Sequence, residues 1–364
     1  MKYIQIHELI SYPASNLNRD DLGRPKTVKI GESTRLRISS QSLKRAWRVS
    51  DVMTAAFPEM GIRTRKLEET IAIVLKKGYA LPDYIKGHEN IVRNPVDSEL
   101  AKKYGKEIDD IFRNNNKSDE GDGKKDEKES KEKKKQILHY SSFEINKVDG
   151  ILEQISLGEE PKIDEFYMNK QYPVDISMFG RMVANDPINS CEASVQVAHA
   201  FTVHKATIEE DYFTVVDDLN TGSDTGAGHL GETSFGAGLF YNYICVDFEL
   251  LCKNLGSKEL ANDAVKKLIE VSSTVSPTGK QNSFASRAYA SYIMIEKGSK
   301  QPRSLSSAFL KPVSGDDLLV NAIKRINETQ SNMNKVYGKC YDDCYVMDVT
   351  TGEGSLESVG AFLE

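Results

Sequence analysis

The sequence predicts an α+β protein with protruding arms, on three observations. Strand-like stretches with apolar residues at every second position are interleaved with amphipathic helical stretches. Two long excursions break that alternation, one dense in Lys, Asp and Glu, the other rich in Gly. The chain of 364 residues exceeds the ~100–200 usual for a domain, so one large domain with insertions and two modules both fit.

The elements follow in order. Tyr3 to Ile10 alternates as a strand, and Pro13 with the polar run Ser15 to Arg24 marks a long exposed loop. Thr34 to Ile38 is a short strand. Ser39 or Ser40 offers an N-cap to a helix whose Leu43, Ala46, Trp47, Ser50 and Met53 share one face, so the helix is expected to run to about Phe57. A further helix covers Arg65 to Lys77. Lys117 to Lys135 has too few apolar residues to offset its ordering entropy and reads as a mobile insertion. Structure resumes near Ile137, and Asp164 to Gly180 mixes apolar and turn-forming residues. Ala193 to Val203 reads as one strand, followed by the excursion His204 to Ser234 with Gly222, Gly226, Gly228 and Gly231. A second strand spans Ser234 to Phe248. Lys258 to Ser272 reads as a helix, Ala290 to Glu296 as a strand and Gly315 to Tyr337 as a helical region.

Composition narrows the function classes. No stretch approaches the ~20 apolar residues that span a bilayer, so no membrane partner is expected. The first residues, Met1 to Ile6, lack the apolar core of a secretory signal, and the expected compartment is the cytoplasm. Five cysteines do not suggest a disulfide framework, and Cys340 with Cys344 lacks the second pair that structural zinc needs. No cofactor or metal is expected. The net charge of -6 argues against a surface that coats nucleic acid everywhere, but residues 1–48 carry ten basic groups against four acidic ones. A basic face on an acidic body suits local phosphate binding.

The strongest candidate for chemistry is Ser39-Ser40-Gln41-Ser42-Leu43-Lys44-Arg45. A helix start carries unpaired backbone N–H groups, and here it also carries hydroxyls, an amide and, one turn on, cations suited to phosphate oxygens. An N-capped surface helix with a solvated basic face is the bland alternative. Arg19, Lys26, Arg35 and Arg37 extend the same cluster into a track, and Arg48 lies one helical turn beyond Lys44. Asp20 and Asp21 could hold a divalent cation and cut RNA, although such a pair is more often a solvated loop. His199 and His204, five apart on a strand, face opposite sides and suit packing better than a metal. Gly226 to Gly231 lacks the lysine of a phosphate-binding loop. Arg181 and Met182 follow Gly180, and Phe213 and Thr214 sit at the root of the arm. Apolar and aromatic groups of this kind can wedge between or stack on single-stranded bases.

Together these blocks resemble a known family. Ser15 to Asp21, Arg35 to Ala46, Ser177 to Met182, Ala198 to His204 and Phe213 to Leu219 are similar, in order, to the CasC family, the backbone subunit of the type I-E CRISPR Cascade surveillance complex. The likeness extends over most of the chain and is weakest at about residues 60–170. It implies an RRM-like (ferredoxin-like) palm with a helical fingers insertion and a protruding thumb. The implied divisions are 1–59, 171–203 and 235–364 for the palm, 60–170 for the fingers and 204–234 for the thumb. It also implies that Arg19, Lys26, Ser39, Ser40, Gln41, Lys44, Arg45 and Arg48 hold the guide backbone, while Met182, Phe213 and Thr214 line the place where a base is displaced. The implied partners are CRISPR guide RNA, further copies of the chain, other Cascade subunits and, through the guide, target DNA.

The expected function is therefore noncatalytic guide binding. The alternatives are a metal-dependent target-RNA endonuclease of an RNA-targeting complex, motivated by Asp20 and Asp21, and a stand-alone single-stranded RNA-binding protein.

Overall fold

The computed structural model describes residues 1–113, 136–161, 172–183, 189–215 and 229–364. The expected insertion at 117–135 and the glycines Gly222, Gly226 and Gly228 of the arm lie outside the described residues. The chain divides into two units, Met1–Ala56 with Val195–Leu250 and Lys258–Glu364, and Phe57–Ser194 with Leu251–Ser257.

The first unit is built on an antiparallel sheet. Its strands are β1 (Tyr3–Ser15), β2 (Thr27–Ile30), β3 (Ser33–Ile38), β6 (Val195–Val197), β7 (Ala200–Thr202), β8 (Glu209–Val215), β9 (His229–Asp247), β10 (Ala290–Gly298) and β11 (Asp343–Asp348). They run in the order β11-β10-β1-β9-β7-β3-β2, with β6 and β8 also paired to β9. The central β1 is covered on both faces, so its alternation separates two buried sets rather than core from solvent. Leu9 belongs to a core with Tyr241, Tyr292, Phe309 and Ile326, the last from helix α11 (Leu318–Tyr337). On the other face Glu8 meets Ser272 of helix α9 (Lys258–Thr274), against which α1 (Ser40–Arg48) and α2 (Asp51–Ala56) also pack. This unit also holds α10 (Gln281–Phe284) and α12 (Leu356–Leu363).

Several boundaries differ from expectation for identifiable reasons. β1 continues past Pro13, because a register shift between Tyr12 and Ser15 leaves the proline where no ladder N–H is required. The helix expected to reach Phe57 is broken at Val49, where Ser50 donates to the Trp47 carbonyl and accepts from the Met53 N–H, capping α2. The single strand expected over Ala193 to Val203 is two. β6 pairs Val197 with Ile244 and β7 pairs Phe201 with Tyr241, so one extra residue is inserted near His199. The arm is a hairpin in which β8 lies antiparallel to the first part of β9, and β9 continues unbroken into the sheet.

The second unit is mostly helical, with α3 (Leu67–Lys77), α4 (Leu81–Ile85), α5 (Ser98–Arg113), α6 (Ser142–Ser156), α7 (Val174–Phe179) and a two-stranded sheet of β4 (Ile62–Thr64) and β5 (Leu138–Tyr140). Helix α8 (Phe248–Leu255) begins in the first unit and ends in the second. Ile71, Val74, Ile108, Val148 and Leu152 form the core of the second unit. Gly105 lets α5 approach α3 closely, since a side chain there would meet the Glu68 carbonyl oxygen at 2.7 Å. Ser141 and Glu144 close a capping box at the start of α6.

Candidate nucleic-acid interface

The helix start has the geometry its sequence suggests. Ser39 is extended, with φ -71° and ψ 146°, and its hydroxyl accepts from the Ser42 N–H at 3.3 Å. Ser39 O accepts from the Leu43 N–H, which leaves the Ser40 and Gln41 N–H groups without partners inside the helix. Of the two cap candidates, Ser39 is the cap and Ser40 the first helical residue. Gln41 and Arg45 are exposed, Ser42 and Lys44 half-buried, and Ser39, Ser40 and Arg48 buried.

Two asparagines that sequence reasoning passed over set this helix start in place. Asn18 accepts the Ser39 N–H on its side-chain oxygen at 2.9 Å and the Lys26 N–H on its backbone oxygen at 2.8 Å. Asn16 donates to the carbonyls of Gly23 and Ser234, tying the loop to the root of the arm. Both side chains do what loop asparagines commonly do, bonding nearby backbone, and the run Ser15-Asn16-Leu17-Asn18 was the available signal. Asp20 has a similar structural use. Its Oδ1 accepts from the Leu22 and Arg24 N–H groups across a turn in which Gly23 takes φ +80°.

The cations of this unit converge on one imidazole. Arg37 Nη1 lies 2.6 Å from His199 Nδ1, and burial followed by the charges of Arg37, Lys26 and Lys44 holds the His199 pKa below its ordinary value. Residues from the loop, β3, α1 and the bulge between β6 and β7 therefore share one basic neighbourhood. A neutral His199 accepts from Arg37 on Nδ1 and keeps its proton on Nε2. Among the described residues Arg19, Lys26, Arg37 and Arg45 form no ion pair with a carboxylate. Cations with no carboxylate partner suit an external polyanion.

Two arginines, Arg35 and Arg48, depart from the expected track, and the separate RNA-binding candidate Arg181 is also buried. Arg35 is fully buried, donating to the carbonyls of Thr202 at 2.9 Å and Phe309 at 3.0 Å, so it serves the fold rather than a surface. Arg48 is only 7% exposed, on the buried side of α1. Arg181, in the second unit, is 9% exposed, with Nη1 at 2.8 Å from both carboxylate oxygens of Glu144 and its guanidinium over the Tyr172 ring. Its charge is neutralised inside the protein. The adjacent Met182 is 70% exposed.

The arm presents an apolar surface. Tyr212, Phe213, Thr214 and Val215 are exposed on β8, and Leu230 is exposed on β9. Phe213 is paired with Gly231, and its ring lies where a Gly231 side chain would be. Aromatic and aliphatic groups left open on a two-stranded arm can stack on or separate bases.

Among the described residues no group of three or more His, Cys, Asp or Glu is placed to hold a metal ion, and all five cysteines are free. Among those same residues, no helix is long and apolar enough to cross a membrane.

With this geometry in view, the comparisons are specific. A family model described as CT1975-like protein matches residues 4–360. No curated protein matches the chain. Among solved structures it is similar to a chain of "CRISPR RNA-guided surveillance complex, pre-nicking", at 27% identity and TM-score 0.80, covering 99% of each chain. It is also similar, in fold, to a chain of "CRISPR RNA-guided surveillance complex", at 24% identity and TM-score 0.59, covering 100% of this chain and 98% of the other.

Proposed function

The chain belongs to the CT1975-like family, and from that premise we propose that it is the guide-RNA-binding backbone subunit of a CRISPR surveillance complex of the type I-E Cascade kind. Family membership and the similarity to surveillance-complex chains support a Cas backbone-type protein. The observation that carries RNA binding is the convergence of Lys26, Arg37 and Lys44 on His199 beside a Ser39-capped helix start.

In this reading the antiparallel sheet of the first unit is the RRM-like palm, the second unit corresponds to the fingers and the β8–β9 hairpin is the thumb. Lys26, Arg37, Lys44, Arg45 and Arg19 neutralise guide phosphates, while the Ser40 and Gln41 N–H groups and the hydroxyls around them complete the contacts. Such contacts fix register without reading sequence, which is left to pairing between guide and target DNA. Phe213 and Thr214 in the first unit, and Met182 in the second, are each proposed to meet displaced bases. Several copies assemble along one guide with other Cascade subunits. Arg35 and Arg181 are left out of the set of backbone contacts because their guanidinium groups are taken up by internal acceptors, and Arg48 because its side chain lies on the buried side of α1. In this reading the subunit is noncatalytic; of Asp20 and Asp21, the pair behind the endonuclease alternative, Asp20 has one carboxylate oxygen committed to its own turn.

The test is guide binding by Lys44→Ala at two or more salt concentrations. Loss of one phosphate contact reduces the slope of log K against log salt by about 0.7 for a single strand. Unchanged affinity with an unchanged slope removes Lys44 from the interface.

A further inference from the structure

A cleft of about 380 Å³ lies in the first unit between the C-terminal end of α11 and the segment that follows β10. Lys300, Arg303, Met333, Tyr337, Lys339 and Cys340 line it. No carboxylate does. Arg303 is anchored by the fully buried Glu296, with Nη1 and Nη2 at 2.5 and 3.0 Å from its two oxygens. Burial raises the Glu296 pKa, but the hydrogen bonds and charges of His7 and Arg303 outweigh it and hold the group at about 2. That pair is internally balanced, which leaves the two lysines as the unbalanced charges of the cleft. Lys300 Nζ donates to the Lys339 carbonyl at 3.0 Å, and Lys339 Nζ lies 5.7 Å from the Tyr341 ring centroid. Neither lysine has a carboxylate partner among the described residues.

Aromatic and apolar groups also line the cleft. Tyr337 is 84% exposed, and Met333 lies one turn before it on α11. A tyrosine this open gains nothing from the fold by its position. Ammonium groups beside an open aromatic ring match a phosphate attached to a base, the phosphate meeting charge and the base meeting the ring. The volume is within the ~300–1,000 Å³ of small-molecule sites and too small for a folded partner.

We propose that this cleft binds a nucleotide, its phosphate held by Lys300 and Lys339 and its base stacked on Tyr337. The nucleotide can be a free one or part of a passing single strand, since both present the same chemistry. The site is separate in sequence from the basic helix start and goes beyond the role proposed for it.

The test uses the full chain and titration calorimetry at low salt with adenosine 5′-diphosphate, a 5′-phosphorylated dinucleotide, inorganic phosphate and a hexaglutamate peptide. The expected result is nucleotide binding that Lys300→Glu with Lys339→Glu weakens about tenfold or more, as expected for loss of a charge-assisted hydrogen bond. Tyr337→Ala weakens binding of the nucleotides without altering that of inorganic phosphate. Tighter binding of the dinucleotide than of adenosine 5′-diphosphate assigns the cleft to a strand, and equal binding to a free nucleotide. As a second readout, bound adenosine 5′-diphosphate slows alkylation of Cys340, identified by peptide mapping. Absence of nucleotide binding, an unaffected double variant, or binding of phosphate or hexaglutamate as tight as that of the nucleotides overturns the proposal.

Discussion

Glu8 is a buried carboxylate at the centre of the sheet, and replacing it with glutamine has a calculable effect on pH-dependent stability. The side chain is fully buried, accepting from Ser272 Oγ at 2.5 Å and Asn242 Nδ2 at 2.7 Å. Burial raises its pKa from 4.5 to about 7, against the lowering effect of those two donors. Because the folded value lies above the unfolded one, the native state binds this proton more tightly. The resulting stabilisation is fully present below pH 4.5 and is lost as the pH rises through about 7. The difference amounts to ~3 kcal/mol. Glu8→Gln keeps the shape and removes the titration, at a roughly constant loss of ~1 kcal/mol for a less suitable hydrogen bond. Chemical denaturation of both proteins across this pH range, compared as a difference, isolates the one group. Relative to wild type, the variant should gain ~3 kcal/mol between the acid and alkaline ends. A difference that does not vary with pH refutes the reasoning.

Two further outcomes follow from the same geometry. Arg35→Met leaves the Thr202 and Phe309 carbonyls without their donor and should cost ~2–4 kcal/mol in denaturation midpoints, with guide affinity of the folded protein unchanged. The His199 imidazole should titrate below its ordinary value in the free protein by NMR, because burial and three cations oppose its charging. Phosphates that neutralise those cations should raise it, so guide binding takes up a proton and strengthens as the pH falls toward 6; a His199 titration insensitive to RNA contradicts this.

What the sequence could and could not reveal follows from the range of the interactions involved. The Ser39 cap was legible because a cap and a 3.6-residue period act within a few positions, and so was the existence of β3, β9, β10 and α9. The break after α1 was not, because Ser50 falls on the same apolar face while also capping α2. Burial of charge was illegible in principle. Arg35 meets carbonyls 167 and 274 positions away, so counting cations overstated the track, and Arg181, a separate candidate, meets a glutamate 37 positions away. The bulge at His199 appears only when β6 and β7 are set against β9. It carries His199 to the exposed side beside Arg37, a neighbour that strand parity alone could not name.

The central claim is that many copies of this chain hold one guide by its backbone, and the mass of the assemblies formed on guides of increasing length tests it most directly. Mass photometry should show a ladder of complexes that rises by one 40.7 kDa subunit for each fixed increment of guide, independent of guide sequence. A single bound copy on every guide, whatever its length, contradicts it.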